Sequence, residues 1–253
     1  MGEHATYVYA VTQEQPALDE LRGIGGSSVR GLPVEGLVAL VSSVALAEFG
    51  AEPLRRNLED LGWLEATARA HHEVVEASAA LVVTAPLRLA TVYHDDARVR
   101  EMLEQRREEL AAALARVVGR AEWGVKVYDD NATAAAPDGA VADDPAAGPG
   151  ASYLRRRRLE RDAAQQRGRA AAERAEAIHL ALAATASASR RYPPQDQQLA
   201  GHSGMMMLNA AYLVDPPGAE ALRGRIDELA DGARYDLTGP WAPYSFAVLE
   251  QGS

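Results

Sequence analysis

The sequence predicts an α+β protein in two parts, and three observations carry that prediction. Runs rich in β-branched and aromatic residues, such as Thr6–Val11, Gly36–Val44 and Met205–Val214, alternate with segments whose apolar residues recur every three or four positions. Between Asp129 and Gly150 the composition shifts to Ala, Asp, Gly and Pro with almost no large apolar residue, the signature of a linker. Beyond it, Tyr153 to Arg191 contains no proline and a single glycine, Gly168, and is dominated by strong helix formers. The architecture expected is two ferredoxin-like-type α+β parts joined by an acidic, Ala/Pro-rich linker and a long helix. The corresponding domains are 1–128, a flexible linker 129–150, and 151–253.

Taken in order, Thr6–Val11 reads as the first strand, and Pro16–Arg22 as a short helix ended by Gly23, Gly25 and Gly26. Ser28–Leu32 and Gly36–Val44 read as two strands with a turn at Pro33–Gly36. Pro53–Ala80 reads as one long amphipathic helix, stepping through Leu54, Leu58, Leu61, Leu64, Ala68, His71 or His72, and Val75, with Gly62 as a weak point. Pro86–Tyr93 alternates as a strand. Ala97–Val118 is a second amphipathic helix, with Asp95 and Asp96 as its capping acids and Gly119 as its stop. Glu122–Tyr128 is a strand closing the first part, with Trp123 and Trp63 expected to pack the N-terminal sheet.

The helix from Tyr153 to Arg191 would be roughly 55–60 Å long at about 1.5 Å per residue, a spacer and packing surface between two globular parts. Tyr192-Pro-Pro follows its end. Gln195–Gly204 reads as loop, Met205–Val214 as strand, and Ala219–Leu229 as a short helix ended by Asp231-Gly232. Tyr235–Thr238 is extended, Gly239-Pro240 turns the chain, and Pro243–Leu249 reads as a last strand, with Phe246 and Val248 facing the core beside Leu213 and Leu222.

Composition excludes several classes of function. The 253 residues are 47% hydrophobic and 25% charged, as in soluble globular proteins. A net charge of −10 argues against general nucleic-acid binding. Without cysteine there are no disulfides, thiolate metal sites or cysteine nucleophile. No apolar run approaches the roughly 20 residues that span a bilayer, and the N-terminus lacks the pattern of a signal peptide. The expectation is a cytoplasmic protein with no lipid membrane partner.

Candidate chemistry is sparse. Gly201-His-Ser-Gly-Met205 resembles a nucleophile elbow, but Met205 stands where the second glycine belongs and the segment precedes a strand. His72 and Glu76 share a helix face, yet a zinc site needs three or four ligands, so a packing or surface pair is favoured. Gly23–Ser27 has neither phosphate-loop spacing. No catalytic, cofactor-binding or metal-binding residue is assigned. Arg155, Arg156, Arg157 and Arg158 read first as a solvated helical turn. They oppose the helix macrodipole, which leaves room for an anionic partner, with Asp129, Asp130, Asp143 and Asp144 as candidates, of the same molecule or of another. Trp241 and Tyr244, in the proline-flanked aromatic tail, are the other partner-binding candidates, with Trp241 expected to be the most exposed aromatic there.

Several blocks together resemble the gas vesicle protein F/L family (GvpF/GvpL). They are Tyr7-Val-Tyr9, Gly36–Ser42, Asn57–Glu65 leading into Ala68–Glu73, Pro86–Tyr93, Glu122–Tyr128, Leu208–Val214 and Gly239–Phe246. Leu89 and Tyr93 differ mildly from the family pattern, and the linker is longer and richer in Ala and Pro. The resemblance implies a non-enzymatic accessory or structural role in gas vesicle assembly or nucleation, without cofactors. It further implies binding to the hydrophobic major shell protein (GvpA type) and to other accessory proteins. The implied location is cytoplasmic and on the vesicle, with its gas-facing inner surface as a candidate. A ferredoxin-like small-molecule-binding domain or enzyme is the alternative.

Overall fold

The structure is a computed structural model. It describes residues 4–18, 20–129, 149–194, 205–230 and 233–247, with backbone alone for 149–152. Backbone contacts divide the chain into two units, Met1–Glu122 with Pro240–Ser253, and Trp123–Gly239. The sequence expectation placed the first boundary at 128. The contacts place it six residues earlier, at Glu122, and return the C-terminal segment to the first unit. The expected linker lies almost wholly outside the described residues, as does the loop 195–204 with Ser203 and His202.

The first unit is built on an antiparallel sheet in the order β2-β3-β1-β4, with β5 also pairing β1. Its strands are β1 (His4–Thr12), β2 (Arg30–Val34), β3 (Leu37–Ala45), β4 (Thr84–Pro86) and β5 (Val92–Tyr93). From Ala5 to Thr12, β1 is buried at every position, as a central strand covered on both faces must be. Glu35 and Gly36 join β2 to β3 with φ of 46° and 83°, the left-handed pair that a two-residue hairpin turn requires. Pro33 sits inside β2, which tolerates it as an edge strand.

Three local expectations change here. The described part of 16–22 is not helical, and Arg22 instead bridges Ser28. A short α1 (Leu46–Phe49) precedes the expected long helix, which itself divides into α2 (Ala51–Asn57) and α3 (Leu61–Ala79). The break falls before Gly62, where the Asp60 carboxylate accepts from the Gly62 and Trp63 amides at 2.8 and 3.1 Å and starts α3 afresh. Pro86–Tyr93 is not one strand. Arg88 to Thr91 make a turn in which the Thr91 hydroxyl donates to the Arg88 carbonyl at 2.7 Å, and Ala90 takes φ of 62°. The following helix bears the expected Asp95 cap, accepting from the Arg98 amide at 2.9 Å, but kinks at Arg106 into α4 (Asp96–Gln105) and α5 (Arg107–Val117).

The second unit holds a sheet in the order β7-β8-β6-β9. Its elements run β6 (Ala121–Asp129), α6 (Pro149–Ala183), β7 (Ala188–Arg191), β8 (Met205–Val214), α7 (Pro216–Leu229) and β9 (Arg234–Trp241). One core joins Trp123, Val125 and Val127 of β6 to alternate residues Leu208, Ala210, Tyr212 and Val214 of β8. Ala171, Ala175, Ile178 and Leu182 of α6, and Leu222 and Ile226 of α7, close over them. Trp123 is therefore a core residue of the second sheet and not of the N-terminal one, with the Arg223 guanidinium 4.5 Å over its ring. Trp63 stays in the first unit, half-buried 5.3 Å from Phe49.

The long helix ends at Ala183, earlier than expected, because Thr185 caps the Leu182 carbonyl at 2.8 Å and Ser187 donates to Leu213, feeding β7 into the sheet. Asp215 starts α7 by accepting from the Gly218 amide at 2.8 Å. β9 runs through Gly239-Pro240 without turning. The expected last strand is a short helix, α8 (Tyr244–Ala247), because the Phe246 and Ala247 amides bond back to the Pro243 carbonyl. Phe246 is buried but belongs to the first unit, whereas Leu213 and Leu222, its expected neighbours, belong to the second; Val248 is outside the described residues.

Candidate functional site

Two places hold the residues singled out from sequence. The first is the N-terminal half of α6. From Ala171 onward the helix buries a residue at each 3–4 step, whereas from Tyr153 to Ala170 every side chain is exposed except half-buried Ala163. Arg155, Arg156, Arg157 and Arg158 all lie on this bare half. Among the described residues, Arg156 has a loose pairing with Glu160 at 3.9 Å, and the other three make no ion pair. Trp241 and Tyr244, the other two candidates, belong to the first unit.

The second place is a cluster of aromatic and histidine side chains in the first unit. β1 points Tyr7 and Tyr9 to one face, and α3 sets His71 over them at ring distances of 5.7 and 5.6 Å. The Tyr7 hydroxyl accepts from the Ala90 amide at 2.9 Å, and the one acceptor for its own proton among the described residues is His71 Nδ1, also at 2.9 Å, to which it therefore donates. That places the remaining ring proton on Nε2. Burial drives the His71 pKa down from 6.5 to about 4, against a smaller opposing effect of the Leu87 carbonyl, so the ring is neutral near pH 7. Burial likewise raises the Tyr7 and Tyr244 phenols, keeping both protonated. Tyr9 is held by Ser42 at 2.7 Å and the Ile24 amide at 2.9 Å.

The tail lies on the outer side of this cluster. Tyr244 stacks obliquely near both His71 and His72, at 6.0 and 6.2 Å, and Trp241 near His72 at 5.6 Å. Glu122 accepts from the Ser245 amide at 2.7 Å and from its hydroxyl, and Arg116 donates to the Phe246 carbonyl at 3.2 Å. Tyr244 is thus half-buried, its hydroxyl shielded and without a hydrogen-bond partner among the described residues, while Trp241 remains 42% exposed.

Little here suits catalysis. Among the described residues no group of three or more His, Asp or Glu could hold a metal, and His72 pairs with Glu76 alone, at 3.1 Å. An open groove beside β6 and β9 carries Lys126, Asn209 and Asp236, but Asn209 donates to the Pro193 carbonyl and Asp236 accepts from Tyr128. No helix among the described residues is long and apolar enough to cross a membrane. Sequence reasoning missed His71 as the hub of a buried network. The signal available was a histidine on the apolar face of the α3 pattern; its partner Tyr7 lies 64 residues away.

Comparison with known proteins agrees along the whole chain. The chain is 42% identical over 251 residues to gas vesicle protein L of Streptomyces sp. (strain CB03234), covering 97% of this chain and 93% of that one. Its fold is similar to the crystal structure of gas vesicle protein GvpF from Anabaena sp. PCC7120, with a TM-score of 0.71 at 18% identity, covering 98% and 99% of the two chains. It is also similar to GvpF from Microcystis aeruginosa, with a TM-score of 0.64 at 19% identity, covering 97% and 99%. The family model described as gas vesicle synthesis protein GvpL/GvpF matches residues 5–248, both units included, and the chain belongs to that family.

Proposed function

We propose that this protein is a non-enzymatic accessory protein of the gas vesicle that binds the hydrophobic, GvpA-type major shell protein and supports vesicle assembly or nucleation. The observation that carries the reading is the family match over nearly the whole chain, which gives it a gas vesicle role. Physical chemistry supports the finer step. A shell subunit rich in apolar strands aggregates unless its edges and faces are covered. Among the described residues β2, β7 and β9 are edge strands, and an uncovered edge could accept an added strand. Its station would be on the vesicle, with the gas-facing inner surface the candidate location.

The test is co-purification of the full chain with the shell protein from cells making both. Capture of the shell protein is the expected result, and its absence, with both proteins soluble and abundant, would end the reading. Within that experiment, Trp241→Ala should reduce capture while changing stability by about 1 kcal/mol, because its ring keeps 42% of its surface in water and touches the rim histidine His72 and not the core. Phe246→Ala should instead destabilise by about 3–5 kcal/mol, since its ring is buried. Denaturation curves of both variants check the pair, and the reverse pattern would move the docking assignment from Trp241 to the core.

A further inference from the structure

From Tyr153 to Ala170, α6 runs about 27 Å at 1.5 Å per residue with no packing partner among the described residues. A helix face left bare over that length normally acquires a partner, because packing rather than propensity supplies most helical stability. The chemistry of this arm says which kind. It carries seven arginines, from Arg155 to Arg158 and at Arg161, Arg167 and Arg169, against only Glu160 and Asp162, on a chain whose net charge is −10. Among the described residues all but Arg156 lack an ion pair. Arg157 and Arg161 repel at i,i+4, and the first four arginines oppose the helix dipole. Apart from the loose Arg156–Glu160 pair, none of these charges stabilises the free helix by pairing. Every one of these cations is arginine in a chain with one lysine, Lys126, and the guanidinium fork fits carboxylates.

Apolar groups share the arm. Tyr153, Leu154 and Leu159 are each at least half exposed. Nucleic acid would cover the charges but leave these three in water. The arm of a second copy would meet arginine with arginine. Deepening the accessory role proposed above, and resting on it, we infer that the 153–170 arm is the docking surface for an acidic amphipathic helix of a protein partner, which pairs carboxylates with Arg155 and Arg158 and covers Leu154 and Leu159, the four sharing one arc of the helix.

The probe is a fluorescein-labelled 21-residue helical peptide of Glu and Leu, titrated with the full chain at about 50 mM salt. Its controls are the Lys/Leu counterpart, polyglutamate and a 20-base-pair DNA duplex. The Glu/Leu peptide should bind, and bind more tightly than any control. The combined Arg155→Gln, Arg156→Gln, Arg157→Gln, Arg158→Gln variant, which keeps good helix formers, should weaken it about tenfold or more, and Leu154→Ala with Leu159→Ala about threefold. Should the fourfold variant lose helix content by circular dichroism, salt titration of the wild type gives the same readout, an affinity falling about tenfold by 300 mM. Unchanged affinity in the variant, salt-independent binding, or a control binding as tightly as the Glu/Leu peptide overturns the assignment. Because the probe is not the shell protein, shell capture without peptide preference ends only this inference, and peptide binding without shell capture ends only the proposed function.

Discussion

Each unit of this protein contains the same pair: a histidine on a helix whose Nδ1 meets the hydroxyl of a fully buried strand tyrosine at 2.9 Å. In the first unit it is His71 of α3 with Tyr7 of β1; in the second it is His179 of α6 with Tyr212 of β8. Ring separations are 5.7 Å in both. The surroundings differ. His71 is 3% exposed, ringed by Tyr9 and Tyr244, and its tyrosine is also bonded by the Ala90 amide. His179 is half-buried, near the Arg191–Glu176 ion pair, and its pKa is lowered first by burial and then by Arg191. The difference teaches that the bond alone does not set the consequence. Where water can reach the ring, a broken pair is rehydrated. Where it cannot, every polar atom left behind stays unsatisfied.

Tyr7→Phe is the strongest test of that contrast. It removes one hydroxyl but leaves the buried His71 Nδ1 and the half-buried Ala90 amide without it, and should destabilise by about 4 kcal/mol, about 3 for the first and about 1 for the second. Urea denaturation reads it directly. A loss under about 1 kcal/mol would mean that the site relaxes or takes in water, and the two pairs would then be alike.

The next effect is on pH dependence. His71 has a folded pKa of about 4 against 6.5 for the unfolded chain. Above pH 6.5 neither state holds the proton. As pH falls from 6.5 to 4 the unfolded chain binds it and the folded one does not, so stability is lost progressively across that window and the His71 contribution is flat below it. The total is about 3 kcal/mol at 1.36 kcal/mol per unit. His71→Leu should remove this slope, measured as the difference between wild-type and variant denaturation midpoints from pH 7 to pH 4. His179→Leu should change it less, in the same direction. Equal slopes for the two variants would erase the distinction between a sealed and a rim histidine.

Much of this fold was legible in local pattern, and the failures share one cause. The Asp95 cap, β8 and the α7 helix are written in adjacent residues, and there the sequence reading and the structure agree to within a few residues; α6 was legible as a helix but not in its end, where the last residues expected of it form β7. The missed features depend on residues distant in sequence or on backbone states that composition does not flag. Ala90 takes a left-handed turn although alanine is no turn residue, so β4 and β5 read as one strand. Trp123 is visibly on a strand, but nothing local says which sheet receives it. The alternation of Phe246 and Val248 imitates a strand where Pro243 starts a helical turn. The arginines of α6 stand out in the sequence, whereas their lack of partners is a property of the folded chain. His71 sits on the apolar face of a helical pattern, yet its role follows from Tyr7 and Tyr244, far away on either side.

The smallest effect tests the other end of the comparison. Tyr212 is fully buried, and its hydroxyl is raised in pKa first by burial. Its one bond among the described residues is to His179 Nδ1. Tyr212→Phe keeps the ring that packs with Trp123, Ile178 and Leu182, so the core is not hollowed. What is lost is a single hydrogen bond whose other member can turn to solvent, and the expected cost is about 1 kcal/mol. The same chemical change therefore separates the units by about 3 kcal/mol, the gap between this loss and that of Tyr7→Phe. Paired urea curves on the two variants measure that gap without a model for either site. A Tyr212→Phe loss equal to that of Tyr7→Phe would show that His179 is sealed off from water in solution, and its half-buried position in the structure would then be no guide to its energetics.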